Sequence, residues 1–239
     1  MSQLMQDDID APQIALPKTP VLITAATKWE AEPLAKALGL NRTSPTRWEG
    51  TVNGRPLTLL KSGIGAKNTA DALTASKPQD FGLTISAGLC GAMQKEAKTG
   101  HLVVDAREVD LDYVKPLRET AIYLSLPFHF GKILHTNIVL KPAVKKSLGE
   151  EQRALACDME TAALRRWAEK TPTIAVRVVL DELHEEIPAD VPEGEDPVSL
   201  AKFALTHAAD LPRLISTGRR SARAMKTLSQ FLKTYLETI

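Results

Sequence analysis

Cysteine and net charge are both scarce in this chain, and each scarcity closes off a class of function. Only two cysteines occur among 239 residues, Cys90 and Cys157, without CxxC spacing. The five histidines form no HExxH or paired-ligand pattern, and His184-Glu185-Glu186 has no second histidine four residues on. Neither a disulfide framework nor a metal site is expected. With 30 basic residues against 29 acidic ones, the chain has no general attraction for nucleic acid or acidic membranes. No apolar run approaches the roughly 20 residues of a membrane-spanning helix, and the polar start "MSQLMQDDIDAPQ" lacks signal-peptide features. The expectation is a globular, cytoplasmic protein without integral membrane contact, and 44% hydrophobic with 25% charged residues is an ordinary composition for one.

Residues 1–18 carry acids, Gln and prolines without periodicity and read as a flexible N-terminal extension, leaving 19–239 as a single domain. From Val21 onward, apolar or β-branched runs alternate with helical patterns. "VLITAA" leads into "WEAEPLAKAL", and "PLTLLKSGIG" into "AKNTADALTAS"; "FGLTISAG", "GHLVVDAREV", "GKILHTNIVL" and "PTIAVRVVLD" read as further strands. "TVNGRP" carries the Asn-Gly turn of a hairpin. The alternation predicts an α/β fold, a three-layer α/β/α arrangement with a mixed, twisted central sheet. After the proline-rich loop "ELHEEIPADVPEGEDP" the chain turns helical to its end. There Leu211, Leu214, Gly218, Ala222, Met225, Leu228, Leu232 and Tyr235 recur at helical steps, opposite mostly basic positions. Such a helix packs on the core, the expected outcome, or lies as a basic amphipathic helix on a membrane surface, a peripheral contact.

In open α/β sheets, ligands bind beyond the carboxyl ends of the strands, so acids and glycines there carry the most information. Glu30 follows the first strand, where it is either a site residue or a helix N-terminal acid. Gly63 and Gly65 join a strand to a helix, as a tight turn or as a backbone that approaches a ligand. Gly88 and Gly91 end another apolar strand, for ligand access or close chain packing. Asp181 ends "IAVRVVLD", either as a partly desolvated acid able to hold a proton or as the N-cap of a following helix. Finally, "ALACDMETAALRRW", residues 154–167, reads mostly as a buried helix face. On it Asp158 is a helix-start acid, and Glu160 faces inward beside Ala156, Ala163 and Leu164; a buried carboxylate needs partners.

These segments, in the order "AATKWEAEPL", "KSGIGAKNTADAL", "ISAGLCGAMQKEAKTGHLVV", "GKILHTNIVL", "CDMETAAL" and "RVVLD", resemble the nucleoside phosphorylase and nucleosidase superfamily over about residues 20–185. The resemblance implies cleavage of an N-glycosidic bond in a small-molecule nucleoside, no metal or organic cofactor, and a homodimer or larger homo-oligomer. It makes Met159 and Glu160 the ribose-binding pair and Asp181 the acid at the purine. Glu30 becomes the residue that activates water, and Ser62 with Gly65 lines the nucleophile pocket. Gly88, Leu89, Cys90, Val139 and Leu140 complete the substrate-binding residues.

Phosphorylases of this superfamily grip phosphate with arginines, because the guanidinium fork matches its oxygens. Here the corresponding segments offer Glu30 and Ser86, so water is expected as the nucleophile and phosphate is the alternative co-substrate. Two departures alter the purine pocket: Leu180 precedes Asp181 where nucleosidases place a small polar residue, and Val139 stands where they place an aromatic ring, with Asn137 replacing a common aspartate. "DMETAA", "RVVLDELHEEIPADV" and "LAKFALTHAADLPRLISTGRRSARAM" also look like the hopanoid-biosynthesis-associated phosphorylases, which release adenine from an adenosylated hopanoid. Expectation therefore centres on hydrolysis of an adenine-type nucleoside, methylthioadenosine/S-adenosylhomocysteine-like or hopanoid-linked. Phosphorolysis is one alternative, and a catalytically silent nucleoside-binding regulator is the other.

Overall fold

A computed structural model describes residues 17–76, 80–186 and 211–239, with the side chains of 211–214 excepted. The strands are β1 (Val21–Ala25), β2 (Asn41–Ser44), β3 (Arg47–Val52), β4 (Arg55–Lys61), β5 (Leu83–Ala92), β6 (Leu102–Asp105), β7 (Phe128–Phe130), β8 (Lys132–His135), β9 (Ala154–Asp158) and β10 (Thr173–Asp181). The helices are α1 (Lys28–Ala37), α2 (Gly65–Ala75), α3 (Leu111–Tyr123), α4 (Pro142–Gln152), α5 (Thr161–Ala168) and α6 (Leu211–Thr238). The strands form one sheet in the order β2-β3-β4-β1-β5-β10-β6-β7, with β9 joined to the far end of β5 and β8 to β9.

The pairs β1–β4, β1–β5 and β5–β10 are parallel, which is why "VLITA" and most of "TIAVRVVLD" are continuous apolar runs: helices cover the sheet on both sides. Ile23, Leu59, Ile85 and Val176 pack with Leu34 of α1, Leu117 of α3 and Leu228, Phe231 and Leu232 of α6 on one face. On the other face Leu22 and Leu60 meet Leu73 of α2 and Leu164 of α5. The mixed three-layer α/β/α arrangement is therefore the one expected. The β3–β4 hairpin turns at Asn53 and Gly54, both with positive φ (49° and 73°), as a tight Asn-Gly turn requires. Buried Arg55 then binds the main-chain oxygens of Pro17, Thr19 and Ile239, fastening both ends of the described chain to the sheet.

Three expectations are corrected. The first half of "ALACDMETAALRRW" is not helix: Ala154–Asp158 is a strand, paired parallel with β8 and antiparallel with β5. Sheet pairing overrides the helix preference of its alanines and leucine, and α5 begins only at Thr161 with Glu160 at its N-cap. On α6, Gly218 and Ala222 are exposed; burial begins at Ala224 and continues through Met225, Leu228, Phe231, Leu232, Tyr235 and Leu236. Only the second half of the helix lies over the sheet, so the apolar periodicity runs further than the contact. No helix follows Asp181 within the residues described up to 186, so it is a strand end and not an N-cap. The expected extension falls mostly on 1–16 and the proline-rich loop mostly on 187–197, outside the described residues, as do 198–210 at the start of the C-terminal helical region. Among the described residues no helix is long and apolar enough to cross a membrane.

Candidate active site

The parallel strands end together, and a cavity of about 240 Å³ opens over their carboxyl ends. Ala26, Thr27 and Glu30 reach it from the β1–α1 turn, Ile64 from the β4–α2 turn, and Leu89 to Gly91 from β5. Thr136 and Ile138 to Leu140 come from the segment after β8, Asp158 to Glu160 from the end of β9, Leu180 and Asp181 from β10, and Lys145 from α4. Its size, just under the range usual for drug-sized ligands, suits a small molecule.

At one end three carboxylates gather around one buried guanidinium. Glu30 is both candidates at once: it closes a capping box with Thr27 and lines the cavity. Its Oε2 accepts from Thr27 N (2.9 Å) and Thr27 Oγ1 (3.1 Å), and its Oε1 accepts from Leu89 N (2.9 Å). Glu160, 7% exposed, accepts from Gly65 N at 2.8 Å, at a glycine with positive φ (87°). Behind both lies Arg177, 1% exposed. Its Nη2 meets Asp158 Oδ2 at 2.6 Å, Ser86 Oγ at 2.7 Å, Thr161 Oγ1 at 3.3 Å and Glu160 Oε2 at 3.5 Å. Thr161 also donates to Asp158.

Gly88, the residue opposite Arg177 in the β5–β10 register, makes room for this cluster. A methyl group there would lie 2.5 Å from both Arg177 Nη1 and Glu30 Oε1. Burial pushes the Glu160 carboxyl up to about 7 against the pull of Arg177. Burial also disfavours the charge on Arg177, but Asp158, Glu160 and Glu30 outweigh it and hold the guanidinium above its ordinary value.

The other end holds a single ion pair. The β5–β10 register shifts between Val179 and Asp181, and this irregularity re-aims the strand end. Asp181 binds Lys145 Nζ, and the ammonium also donates to the main-chain oxygens of Glu185 (2.9 Å) and Glu182 (3.2 Å). Lys145 is 1% exposed because α4 approaches closely: one turn on, a side chain at Gly149 would lie 2.5 Å from Met93 O. Burial raises Asp181 above the usual carboxylate range, with Lys145 opposing. Cys90 and Cys157 line this part of the wall as free thiols; burial pushes Cys157 up to about 12 and Cys90 well above its ordinary value. Among the described residues no three His, Cys, Asp or Glu side chains are grouped as a metal site.

Of the residues expected from sequence, Glu30, Leu89, Cys90, Val139, Leu140, Met159, Glu160 and Asp181 line the cavity. Ser62, Gly65 and Gly88 do not. Ser62 Oγ is turned to the main chain of Ala25 and Gly63 and to Thr69, Gly65 acts through its N–H on Glu160, and Gly88 lies beneath Glu30. Sequence reasoning missed Arg177 and Lys145. A lone arginine inside "IAVRVVLD" was a readable signal, since a charge in a buried strand requires partners. Nothing in "KPAVKKSLGE" separates Lys145 from its neighbour Lys146, which is exposed.

The family model described as the phosphorylase superfamily matches residues 20–139. The chain belongs to that superfamily. No curated protein matches it. Among solved structures, the 5′-methylthioadenosine/S-adenosyl homocysteine nucleosidase of Campylobacter jejuni is similar at a TM-score of 0.70 and 16% identity, over 92% of this chain and 100% of that one. Futalosine hydrolase of Helicobacter pylori is similar at a TM-score of 0.69 and 18% identity, over 92% and 98%. The Helicobacter pylori 5′-methylthioadenosine/S-adenosylhomocysteine nucleosidase with butyl-thio-DADMe-Immucillin-A follows at 0.69 and 16%, over 92% and 99%.

Proposed function

We propose that this chain hydrolyses the N-glycosidic bond of a purine nucleoside of the adenine type, with water as nucleophile and without a metal or organic cofactor. The observation that carries the choice of water is the Glu30 carboxylate on the cavity wall, in a cavity that no arginine lines among the described residues. A phosphate dianion would meet repulsion there, whereas a water molecule would meet a base. The names of the similar structures, nucleosidases and a hydrolase, point the same way.

Breaking the C1′–N bond leaves positive charge on the sugar and sends the electron pair to the base. Glu160 accepts hydrogen bonds from the ribose hydroxyls beside Met159, and Glu30 takes the proton of the attacking water. Asp181 serves the departing base. This is the division between two carboxyl groups familiar from glycoside hydrolysis. Ile138, Val139, Leu140 and Leu180 make the base side and mouth apolar, which suits a hydrophobic 5′ substituent such as a methylthio group or a hopanoid chain. A homodimer belongs to the same reading and is checked by sedimentation.

The test incubates the protein with adenosine, inosine, methylthioadenosine, S-adenosylhomocysteine and an adenosylated hopanoid in H₂¹⁸O, with and without phosphate. Free base and ¹⁸O-labelled sugar are expected, independent of phosphate. Release that requires phosphate would replace hydrolysis by phosphorolysis. Binding without any release would make the chain a nucleoside-binding regulator.

A further inference from the structure

Lys145 is the only basic residue on the cavity wall among the described residues, yet it is spoken for. Its ammonium has three protons, and Asp181, Glu182 O and Glu185 O provide three acceptors. It therefore reaches a bound base only through Asp181. An ammonium beside a carboxylate and an amine beside a carboxylic acid differ only in which partner holds one shared proton. We propose that the acid at the base end is the Lys145–Asp181 pair, with Lys145 a positioning residue that supplies the proton Asp181 passes to the leaving purine.

This rests on the hydrolytic reading above. As the C1′–N bond breaks, its electrons go to the base, a base nitrogen takes the Asp181 proton, and Lys145 Nζ gives its proton to Asp181. Water places its oxygen on C1′ and its proton on Glu30. Solvent then carries the proton from Glu30 back to Lys145, so charge and atoms balance over the cycle. A lysine can do this where an arginine cannot, because a guanidinium does not release its proton in proteins.

The titratable groups around the pair are Cys90 on β5, Cys157 and Asp158 on β9, and Glu182 and Glu185 beyond β10, the last held by Arg220 of α6 at 2.8 Å. Burial keeps both thiols protonated, and Asp158 is committed to Arg177. The alkaline limb of purine release therefore reads the pair as a unit, in which burial raises Asp181 with Lys145 opposing.

The experiment compares wild type, Lys145→Met and Lys145→Gln on the best purine nucleoside and on p-nitrophenyl β-D-riboside, whose leaving group departs without a proton. Expected for both variants is a loss in kcat of about 10²-fold or more on the purine at pH 8, smaller at pH 5, with the aryl riboside hydrolysed near the wild-type rate. Equal loss on both substrates, or unchanged purine turnover and pH profile, would overturn the relay. Wild type alone also decides: a purine alkaline limb in the ordinary carboxyl range, near pH 4–5, would overturn it. A wild type that releases no base defeats the hydrolytic reading and the relay together, whereas an active wild type with indifferent variants defeats only the relay.

Discussion

The two ends of the cavity each set a buried cation under carboxylates, and they differ in count and in kind. At the end assigned to the sugar in the proposed reaction, Arg177 serves Asp158 and Glu160 with Glu30 nearby, so negative charge is in excess and the cation cannot give up a proton. At the end assigned to the base in the proposed reaction, Lys145 meets a single carboxylate, Asp181, so the pair carries no net charge, and in the proposed relay it holds the transferable proton. An anionic end suits the positive charge that develops on a ribosyl ring, and a neutral proton-bearing end suits a departing base. Burial alone would make the two ends alike; the stoichiometry and the choice of arginine or lysine separate them.

The largest way to break this comparison is Arg177→Met, which leaves Asp158 and Glu160 buried without their cation. A loss of about 3–5 kcal/mol of stability is expected at pH 8, read by chemical denaturation, and it should shrink at pH 5 as Glu160 takes a proton. Gly88→Ala comes next. Its methyl group displaces Glu30 and Arg177, and a fall of about 10²-fold in kcat is expected, because misplacing a reacting group by about 1 Å costs that much.

Glu160→Gln separates stability from function. The folded carboxyl titrates at about 7 against 4.5 for the free group. The folded state therefore holds a proton the unfolded chain has already released, and stability falls as pH rises through that window. Glutamine has no such dependence, so the variant should be more stable than wild type at pH 8, on the order of 1–3 kcal/mol, and equal to it at pH 5, while losing turnover. A variant equally destabilised at both pH values would mean that Glu160 holds the fold. The smallest effect belongs to Arg220→Gln, which removes a partly exposed pair with Glu185; about 0–1 kcal/mol is expected by thermal melting.

Much of this was legible in the sequence where local chemistry decides. Glu30 was readable as an acid at a helix start, which the structure shows closing a capping box with Thr27, and the Asn53-Gly54 hairpin was readable because its turn demands positive φ. Glu30 and Asp181 stood out as acids at apolar strand ends and Glu160 as an inward-facing carboxylate on an expected helix, and all three line the cavity. What was not legible depends on distant pairing. Ala154–Asp158 is a strand only because β5 and β8 flank it, and its composition favours a helix. Lys145 is buried only because Gly149 lets α4 approach Met93, a contact made between segments more than 50 residues apart. Ser62 shares its segment with Gly65, yet its hydroxyl turns to Ala25, Gly63 and Thr69 rather than to the cavity.

The difference between the two ends is tested most directly by the leaving-group dependence of two single variants, Glu160→Gln and Asp181→Asn, on a purine nucleoside and on p-nitrophenyl β-D-riboside. Glu160→Gln is expected to lose turnover on both, because both build charge on the sugar; Asp181→Asn is expected to lose the purine and keep the aryl riboside. Parallel losses in the two variants on the two substrates would contradict the separation of an anionic sugar end from a proton-delivering base end.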